Sequence, residues 1–224
     1  MIKNISNLGD SALYCDFGNQ VNKEINTNVI NYFREIRVRK IYGITNLAPS
    51  YNKLIITFDL NLTNYEKLKE EIIRIIPKPF DNKESKKIKI PMCCDNEFAM
   101  DIKNLEIKFQ SSIQEIQSIF FSKTYFCYMT GFIAGMPFLG DIDKKIQVER
   151  LTTPRIKVLK GSIGITEQFC NIYTFESPGG WNIIGNTPIK VFDKLNALKP
   201  ALINPGDEVT FYKISRKEYD NWHD

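Results

Sequence analysis

The stretch Ser177-Pro178-Gly179-Gly180-Trp181-Asn182-Ile183-Ile184-Gly185-Asn186-Thr187-Pro188 decides the fold of the C-terminal half. Its glycines and prolines interrupt short apolar runs, a pattern that favours tight turns between β-strands. Short apolar runs of the same kind lie on both sides of it, at residues 125–132, 163–165, 172–175, 181–184 and 208–214. Several short strands at close spacing are typical of a closed barrel or a sandwich. We therefore predict a β-rich domain from residue 124 onward.

The segments before and after these strands carry recognisable turn and helix signals. Pro205-Gly206-Asp207 matches a turn that leads into the last strand, since proline fits its second position and glycine its third. Residues 95–105 and 111–121 have helical spacing, and Ser111 or Ser112 supplies an N-cap for the second helix.

The first ninety residues predict two similar groups of strand and helix. Strands are expected at 11–17, 41–47, 53–58 and 87–91, and helices at 21–37 and 62–76. Thr63 is the expected N-cap of the second helix, with Glu66 at capping-box spacing. This element order predicts a ferredoxin-like α+β layer, because each helix can cover one face of the sheet.

A polar stretch separates the two differently patterned halves. We predict a linker near residues 78–86, a ferredoxin-like domain at 1–80 and a β-barrel domain at 87–224. The chain begins without a long apolar run and has none of about 18 residues, so we expect no secretory signal and no membrane-spanning helix. A cytoplasmic protein is the expectation.

Composition excludes several classes of function. The net charge of +4 is slight, and acidic residues are mixed among the basic ones, so nucleic-acid binding is not expected. The five cysteines lack the paired spacing of zinc or redox motifs, and we predict reduced, mostly buried thiols. His223 is the only histidine, so we predict no metal site and no histidine base.

Three local patterns are candidates for chemistry. Gly9-Asp10-Ser11-Ala12-Leu13 with Asp220 and His223 could form a serine-hydrolase site, but a strand-opening serine and a frayed C-terminus explain them better. The glycines at 161–164 and 177–181 offer unobstructed backbone amides to an anion, or they are simply tight barrel turns. Arg155, fixed after Pro154, suits bidentate contact with a carboxylate, although many such arginines make only surface pairs.

Ordered blocks over nearly the whole chain resemble one family. They are Gly9–Leu13, Gly43-Ile44, Ile90-Pro91, Gly131-Phe132-Ile133-Ala134-Gly135-Met136-Pro137-Phe138-Leu139-Gly140, Thr153-Pro154-Arg155, Gly161-Ser162-Ile163-Gly164, Ile172-Tyr173, Ser177–Pro188, Phe192-Asp193 and Pro205–Phe211. In this order they are similar to the PxpB family, the B-type subunit of 5-oxoprolinase, which is also called the allophanate hydrolase subunit 1 or KipI family.

The resemblance implies a ferredoxin-like N-terminal domain followed by a cyclophilin-like β-barrel. It also implies a component of an ATP-dependent enzyme that opens 5-oxo-L-proline to L-glutamate, working with a C-type subunit of the same enzyme and a separate A-type subunit. ATP would be bound by the assembled complex, because this chain contains no Gly-Lys-Ser/Thr phosphate-binding motif. The catalytic residues stay unassigned, and the substrate-binding candidates are Gly131, Phe132, Arg155, Ser162, Tyr173, Ser177, Gly179, Gly180 and Trp181.

The sequence departs from the family pattern at polar positions. Phe120 and Phe121 stand where the family usually has a histidine shortly before its tyrosine, which Tyr125 matches. The family run Gly-Gly-Gln-Thr-Gly-Ile-Tyr reads Glu167-Gln168-Phe169-Cys170-Asn171-Ile172-Tyr173. Since a fold does not guarantee its function, the alternative is a non-catalytic protein, either a KipI-like inhibitor of a histidine kinase or a subunit kept for assembly.

Overall fold

The chain forms two compact units. A computed structural model describes residues 1–79 and 85–223. The two units are Met1–Glu84 and Ser85–Asp224. Residues 80–84 of the predicted linker lie outside the described residues, so the predicted boundary at 78–86 stays a prediction. None of the described helices has both the length and the apolar character that crossing a membrane requires.

The first unit is a four-stranded antiparallel sheet with two helices. The sheet order is β1-β2-β4-β3, so the two N-terminal strands pair with each other and β2 lies beside β4. The elements are β1 (Asn4–Asn7), β2 (Ala12–Asp16), α1 (Lys23–Arg39), β3 (Ile44–Pro49), β4 (Lys53–Phe58) and α2 (Tyr65–Ile73).

Both helices of this unit begin at an asparagine cap. The side chain of Asn22 accepts a hydrogen bond from the Ile25 amide at 2.9 Å, and that of Asn64 accepts from the Lys67 amide at 3.0 Å. Such caps satisfy amides that have no partner within the helix. The prediction that Thr63 caps α2 was therefore wrong by one residue, because Asn64 occupies the cap position.

The core of the first unit lies between the sheet and the helices. Leu13 and Cys15 on β2 and Leu54 and Ile56 on β4 are completely buried, and they alternate with more exposed residues. A period of two places these side chains on one face of the sheet. Helix residues that pack in the same cluster include Val29, Tyr32, Ile36, Leu68 and Ile72.

The second unit contains a closed seven-stranded barrel with the strand order β10-β7-β6-β13-β5-β12-β9. A separate two-stranded sheet pairs β11 with β8. The elements are β5 (Lys87–Cys93), α3 (Ile102–Phe109), α4 (Ile113–Phe121), β6 (Thr124–Thr130), β7 (Pro137–Gly140), a 3-10 turn (Lys144–Ile146), β8 (Arg155–Val158), β9 (Ser162–Thr166), β10 (Phe169–Ile172), β11 (Ser177–Gly179), β12 (Asn182–Asn186), β13 (Glu208–Ile214) and α5 (Arg216–Asp220).

The strand predicted at 87–91 belongs to the barrel and not to the first group. It runs as β5, pairs in parallel with β13 from Lys87 opposite Glu208 to Cys93 opposite Ile214, and contacts β12. The fourth strand of the first sheet is β1 instead, at one edge of the sheet, and it was not predicted. β1 has only four residues, and one of them is buried, so its apolar pattern is weak.

Aromatic packing fills part of the barrel core. The Phe120 ring lies 5.1 Å from the Tyr125 ring and 5.0 Å from the Phe211 ring, and the Tyr125 hydroxyl donates to the Phe120 carbonyl at 2.7 Å. Ser112 caps α4, because its hydroxyl accepts from the Glu115 amide at 3.2 Å, as the sequence predicted. The helix predicted at 95–105 begins only at Ile102.

The predicted turn before the last strand is present. Gly206 has a φ of 95°, which favours glycine, and its amide donates to the Cys127 carbonyl at 2.8 Å. The buried Asp207 carboxylate accepts from the Asn204 amide at 2.8 Å and the Lys86 amide at 3.0 Å. These bonds fix the entry of β13 beside β5 and β6.

Candidate functional site

The glycine pair at the end of β11, just before β12, lies against three larger side chains. A Cβ atom added to Gly179 would lie 2.2 Å from the Tyr173 hydroxyl oxygen. A Cβ added to Gly180 would lie 3.5 Å from Nη2 of Arg150 and 3.5 Å from Cγ of Pro154. Gly179 is therefore required for the close approach of Tyr173, whereas Gly180 has ordinary van der Waals contacts. Four of the predicted residues therefore lie together here, because Tyr173 contacts Gly179, and Gly180 and Trp181 follow directly.

Arg155 begins β8 and joins this cluster through an ion pair. Its Nη2 lies 2.5 Å from Oδ1 of Asp101, and its Nη1 donates to the Trp181 carbonyl at 3.4 Å. The Asp101 side chain is only 3% exposed, and its Oδ2 accepts from the Ile183 amide at 2.6 Å. The pair therefore links α3, β8 and β12. The prediction that Arg155 binds a ligand carboxylate stays a prediction, and its guanidinium already has a buried partner.

Tyr173 lies at the inner side of the cluster. It is 1% exposed, and burial is the main cause that raises the pKa of its hydroxyl above the ordinary value of 10.0. The Asn171 amide group, the Trp181 backbone and the guanidinium groups of Arg150 and Arg155 surround that hydroxyl closely enough to lower its pKa in part. Hydrogen-bond donors and positive charge thus converge on one side of the Gly179-Gly180 turn.

Asn171 has a buried amide nitrogen without a hydrogen-bond partner of regular geometry. Its Oδ1 accepts from the Gly164 amide at 3.2 Å, and the residue is completely buried. Its Nδ2 is unsatisfied, although it lies beside the Tyr173 hydroxyl. Leaving a buried donor unpaired costs about 1–3 kcal/mol, so such groups are rare in folded proteins.

Ser162 faces a neighbouring part of the barrel. Its carbonyl accepts from the Tyr173 amide at 2.9 Å, while its hydroxyl accepts from Nδ2 of Asn186 at 3.4 Å. Gly161 has a φ of 81°, and a Cβ there would lie 2.4 Å from Oδ1 of Asn186. Gly161 therefore allows a tight connection beside Asn186 of β12, in agreement with the turn alternative, whereas Gly164 lies within β9.

Gly131, Phe132 and Ser177 lie at other positions. Gly131 closes the β6–β7 loop, with its amide donating to the Met136 carbonyl at 3.1 Å, and Phe132 is 71% exposed with a φ of 67°. Ser177 begins β11, and its hydroxyl donates to the Pro178 carbonyl at 3.3 Å. None of these three provides a hydrogen bond to the Arg155–Tyr173 cluster among the bonds described.

Three residues of the cluster, Asp101, Arg150 and Asn171, were not among the predicted site residues. Asp101 and Arg150 are distant in sequence from Arg155 and Gly180, which they approach in space, whereas Asn171 lies only two residues before Tyr173. Asn171 carried one signal, because it stands at the last glycine of the family run Gly-Gly-Gln-Thr-Gly-Ile-Tyr. The serine-hydrolase hypothesis receives no support at its C-terminal part: Nε of Arg216 pairs with Asp220 at 2.8 Å, and His223 is exposed at the end of the described chain.

Two surface depressions lie away from the predicted residues. One of about 450 Å³ is lined by Cys94, Asp95, Asn96, Glu97 and Arg216, and one of about 430 Å³ lies between α1 and β3. In the first, Arg216 pairs with both Glu97 and Asp220, so its charge is compensated. Within residues 1–79 and 85–223, no three His, Cys, Asp or Glu side chains are grouped as metal ligands.

The departures from the family pattern are packing residues in this chain. Phe120 is 1% exposed and Phe169 is 8% exposed, and the Phe169 ring lies 5.5 Å from the Tyr128 ring. Cys170 is completely buried, and burial raises the pKa of its thiol well above the ordinary value of 9.0. These positions contribute apolar volume, so they offer no acid or base for catalysis.

Comparison with known families settles the class of the chain. A family model described as carboxyltransferase domain, subdomain C and D, matches residues 3–203. The chain belongs to this carboxyltransferase family. Over 227 aligned residues it is 30% identical to the B-type subunit of 5-oxoprolinase from Bacillus subtilis, with 96% of this chain and 94% of that protein covered. The resemblance to this 5-oxoprolinase component is thereby confirmed at the level of the family.

Two larger proteins are also similar to this chain. The chain is 25% identical to the urea amidolyase of Saccharomyces cerevisiae over 95% of its own length, but over only 13% of that protein. The crystal structure of TTHA0988 superposes with a TM-score of 0.83 at 23% identity, covering 92% of this chain and 40% of that one. The likeness to TTHA0988 confirms the predicted α+β fold class, a sheet domain followed by a barrel.

Proposed function

We propose that this carboxyltransferase-family chain is the B-type subunit of an ATP-dependent 5-oxoprolinase, which opens 5-oxo-L-proline to L-glutamate. The observation that carries the proposal is its end-to-end similarity to the corresponding component of the Bacillus subtilis enzyme, at 30% identity over 96% of this chain. A match that leaves almost no part of either protein uncovered supports a shared role in an assembly. The partners would be a homologue of the C-type subunit of that enzyme and its A-type subunit.

The donor-rich cluster at the Gly179-Gly180 turn is the proposed contribution of this chain. 5-Oxoproline carries a carboxylate and a lactam carbonyl, and both are hydrogen-bond acceptors. Arginine and amide donors suit a carboxylate, while a neutral hydroxyl suits a carbonyl oxygen. The chain would therefore bind and orient the substrate, with part of the site supplied by the partner subunit.

ATP would bind to the assembled complex. The described residues of this chain include no phosphate-binding loop of the P-loop type, and the sequence contains no Gly-Lys-Ser/Thr. When bound, ATP supplies the free energy for lactam opening. The residues of this chain that we assign act only in substrate recognition.

Co-purification with the untagged C-type partner tests this proposal. We expect a stable complex, and we expect 5-oxoproline-dependent ATP hydrolysis when the A-type partner is added. The single chain should show no such hydrolysis, and omission of 5-oxoproline serves as the control. A complete assembly that hydrolyses ATP equally with and without 5-oxoproline would contradict the proposed activity, and robust turnover by the single chain would contradict the assignment of ATP to the complex.

One observation favours a second candidate, a non-catalytic binding subunit. The polar residues of the family pattern are replaced by Phe120, Phe169 and Cys170, which are buried in the barrel. A regulatory protein of the KipI type needs an interaction surface but no acid or base. Inhibition of histidine-kinase autophosphorylation by the single chain, together with no turnover by the assembly, would favour this candidate.

A further inference from the structure

Arg150 is a cation without an acidic partner beside the Gly179-Gly180 turn. Its Nη2 and Nε lie 3.5 and 3.6 Å from the position that a Gly180 Cβ would take, and its side chain is exposed. The neighbouring Leu151 amide donates to the Gly180 carbonyl at 2.8 Å, which holds this segment against the turn. No carboxylate pairs with Arg150 in the described part of the chain.

Arg155 and Arg150 differ in how many of their guanidinium donors already have a partner. Arg155 lies 2.5 Å from the buried Asp101 carboxylate and also binds the Trp181 carbonyl. A guanidinium held by two internal acceptors has fewer free donors for a ligand. Arg150 keeps all of its donors, so it is the available cation of the cluster.

Two neutral donors are buried near the same turn. The Tyr173 hydroxyl packs against Gly179 and is close to both guanidinium groups, and the Nδ2 of Asn171 is buried without a partner. Asp101 is the one carboxylate that the described contacts place in this cluster, and it is already paired with Arg155. The region therefore carries one uncompensated positive charge and an excess of donors, which favours an anionic ligand rich in acceptors.

We propose that Arg150 binds the carboxylate of a small lactam acid at the Gly179-Gly180 turn, with Tyr173 and Asn171 as donors for its carbonyl oxygen. The inference rests on the proposed function, because that function supplies the class of ligand. It differs from the sequence-based expectation, which gave the carboxylate to Arg155. The site takes a small molecule with one carboxylate and one carbonyl acceptor.

Fluorescence titration of Trp181 tests the site directly. Trp222→Phe leaves Trp181 as the only tryptophan, since the chain has two. We expect 5-oxo-L-proline to give a saturable change, and 2-pyrrolidinone, the same lactam without the carboxylate, to bind at least about tenfold more weakly, or about 1.4 kcal/mol. Arg150→Gln should cause a loss of similar size, with an unchanged melting temperature. Tyr173→Phe should weaken binding of both compounds, because it removes a donor that does not contact the carboxylate.

Lys157→Gln is the matched control. Lys157 is a cation of β8, seven residues after Arg150, but it pairs with Glu176 in solvent, so its replacement should leave binding unchanged. Equal affinity of Arg150→Gln and the parent chain for 5-oxo-L-proline would overturn the proposal. Equal binding of the two lactams by the parent chain would overturn it as well, as would the absence of a saturable response in both the single chain and its complex with the C-type partner.

The failure of the site and the failure of the proposed function have different signatures. If the assembly hydrolyses ATP with 5-oxoproline and Arg150→Gln leaves KM unchanged, the site is wrong and the function stands. If Arg150→Gln weakens binding of 5-oxo-L-proline but the complete assembly shows no 5-oxoproline-dependent hydrolysis, the site stands and the function is wrong.

Discussion

Replacing Arg155 by alanine should destabilise the barrel unit far more than the loss of a solvent-exposed charged residue. The Asp101 carboxylate that faces Arg155 is 3% exposed, and the Arg155 side chain is 27% exposed. Without the guanidinium, the buried carboxylate retains only the Ile183 amide as its described donor. Removing one partner of a buried ion pair lowers the free energy of unfolding by about 3–5 kcal/mol. Because Arg155 is partly exposed, we expect a loss of about 3 kcal/mol.

Thermal unfolding followed by circular dichroism measures this loss. For a chain of this size, 1 kcal/mol corresponds to about 2–4 °C, so we expect the melting temperature to fall by about 6–12 °C. Lys157→Ala is the matched control on the same strand: its pair with Glu176 is exposed, with side chains 62% and 52% accessible, and should contribute less than about 1 kcal/mol.

A double-mutant cycle with Asp101→Asn identifies the cause. If the loss arises from an unpaired buried charge, Arg155→Ala should cost much less in the Asp101→Asn background, because the remaining group is neutral. A fall of less than about 2 °C for Arg155→Ala alone, well below the size-scaled expectation, would refute the reasoning. Equal costs in both backgrounds would show that Arg155 stabilises the barrel by packing and not through Asp101.

Three other predictions follow from the linker, the thiols and one ion pair. Limited proteolysis should cut first within residues 78–86, and a single resistant product of full length would contradict the two-domain prediction. Burial raises the pKa of Cys15 and of Cys94 to about 12, so a thiol reagent at pH 8 should react slowly with the native chain and quickly after denaturation; rapid native labelling would count against this. The hydrogen bond from Lys53, at 2.5 Å, lowers the pKa of Asp16 below its ordinary value of 3.8. The ionised Asp16 therefore stabilises the folded chain fully above pH 3.8, and this stabilisation is lost as the pH falls through the lower pKa of the folded state. Asp16→Asn should therefore lower the melting temperature at pH 7 but little at pH 2, and an equal effect at both would disprove the linkage.

The sequence predicted those parts of the fold that depend on local chemistry. The Ser112 cap of α4, the Pro205-Gly206-Asp207 turn and the bounds of β13 all follow from neighbouring residues, and the structure has them. The predictions were wrong where the pairing of strands distant in sequence decides which sheet a strand joins. β5 has the apolar pattern of a strand wherever it pairs, and only its parallel register with β13 assigns it to the barrel.

The candidate site was less predictable than the fold, for the same physical reason. The family resemblance named both Gly179 and Tyr173 as substrate-binding candidates, but nothing in the sequence predicted their contact across the five residues that separate them. Asp101 reaches Arg155 from another part of the barrel unit, 54 residues away in sequence. The partner of a buried carboxylate depends on which side chain the fold places beside it, and neither residue type nor spacing along the chain predicts that partner.

The residues that depart from the family pattern and the hydrogen-bond donors near the Gly179-Gly180 turn lie in different environments. This difference bears on which steps of the proposed reaction this chain would perform and which its partners would. Phe120, Phe169 and Cys170 are buried and apolar, so the chain offers no titratable group there near neutral pH. Arg150 and Tyr173 by contrast gather donors around a turn that only glycine permits at residue 179. Donors that do not change protonation can select and orient an anion, but they cannot exchange protons during lactam opening. If the proposed function holds, we therefore expect the partner proteins to supply the phosphate-binding residues and the base for lactam opening, and we expect the pH dependence of the rate to follow titratable groups of those partners.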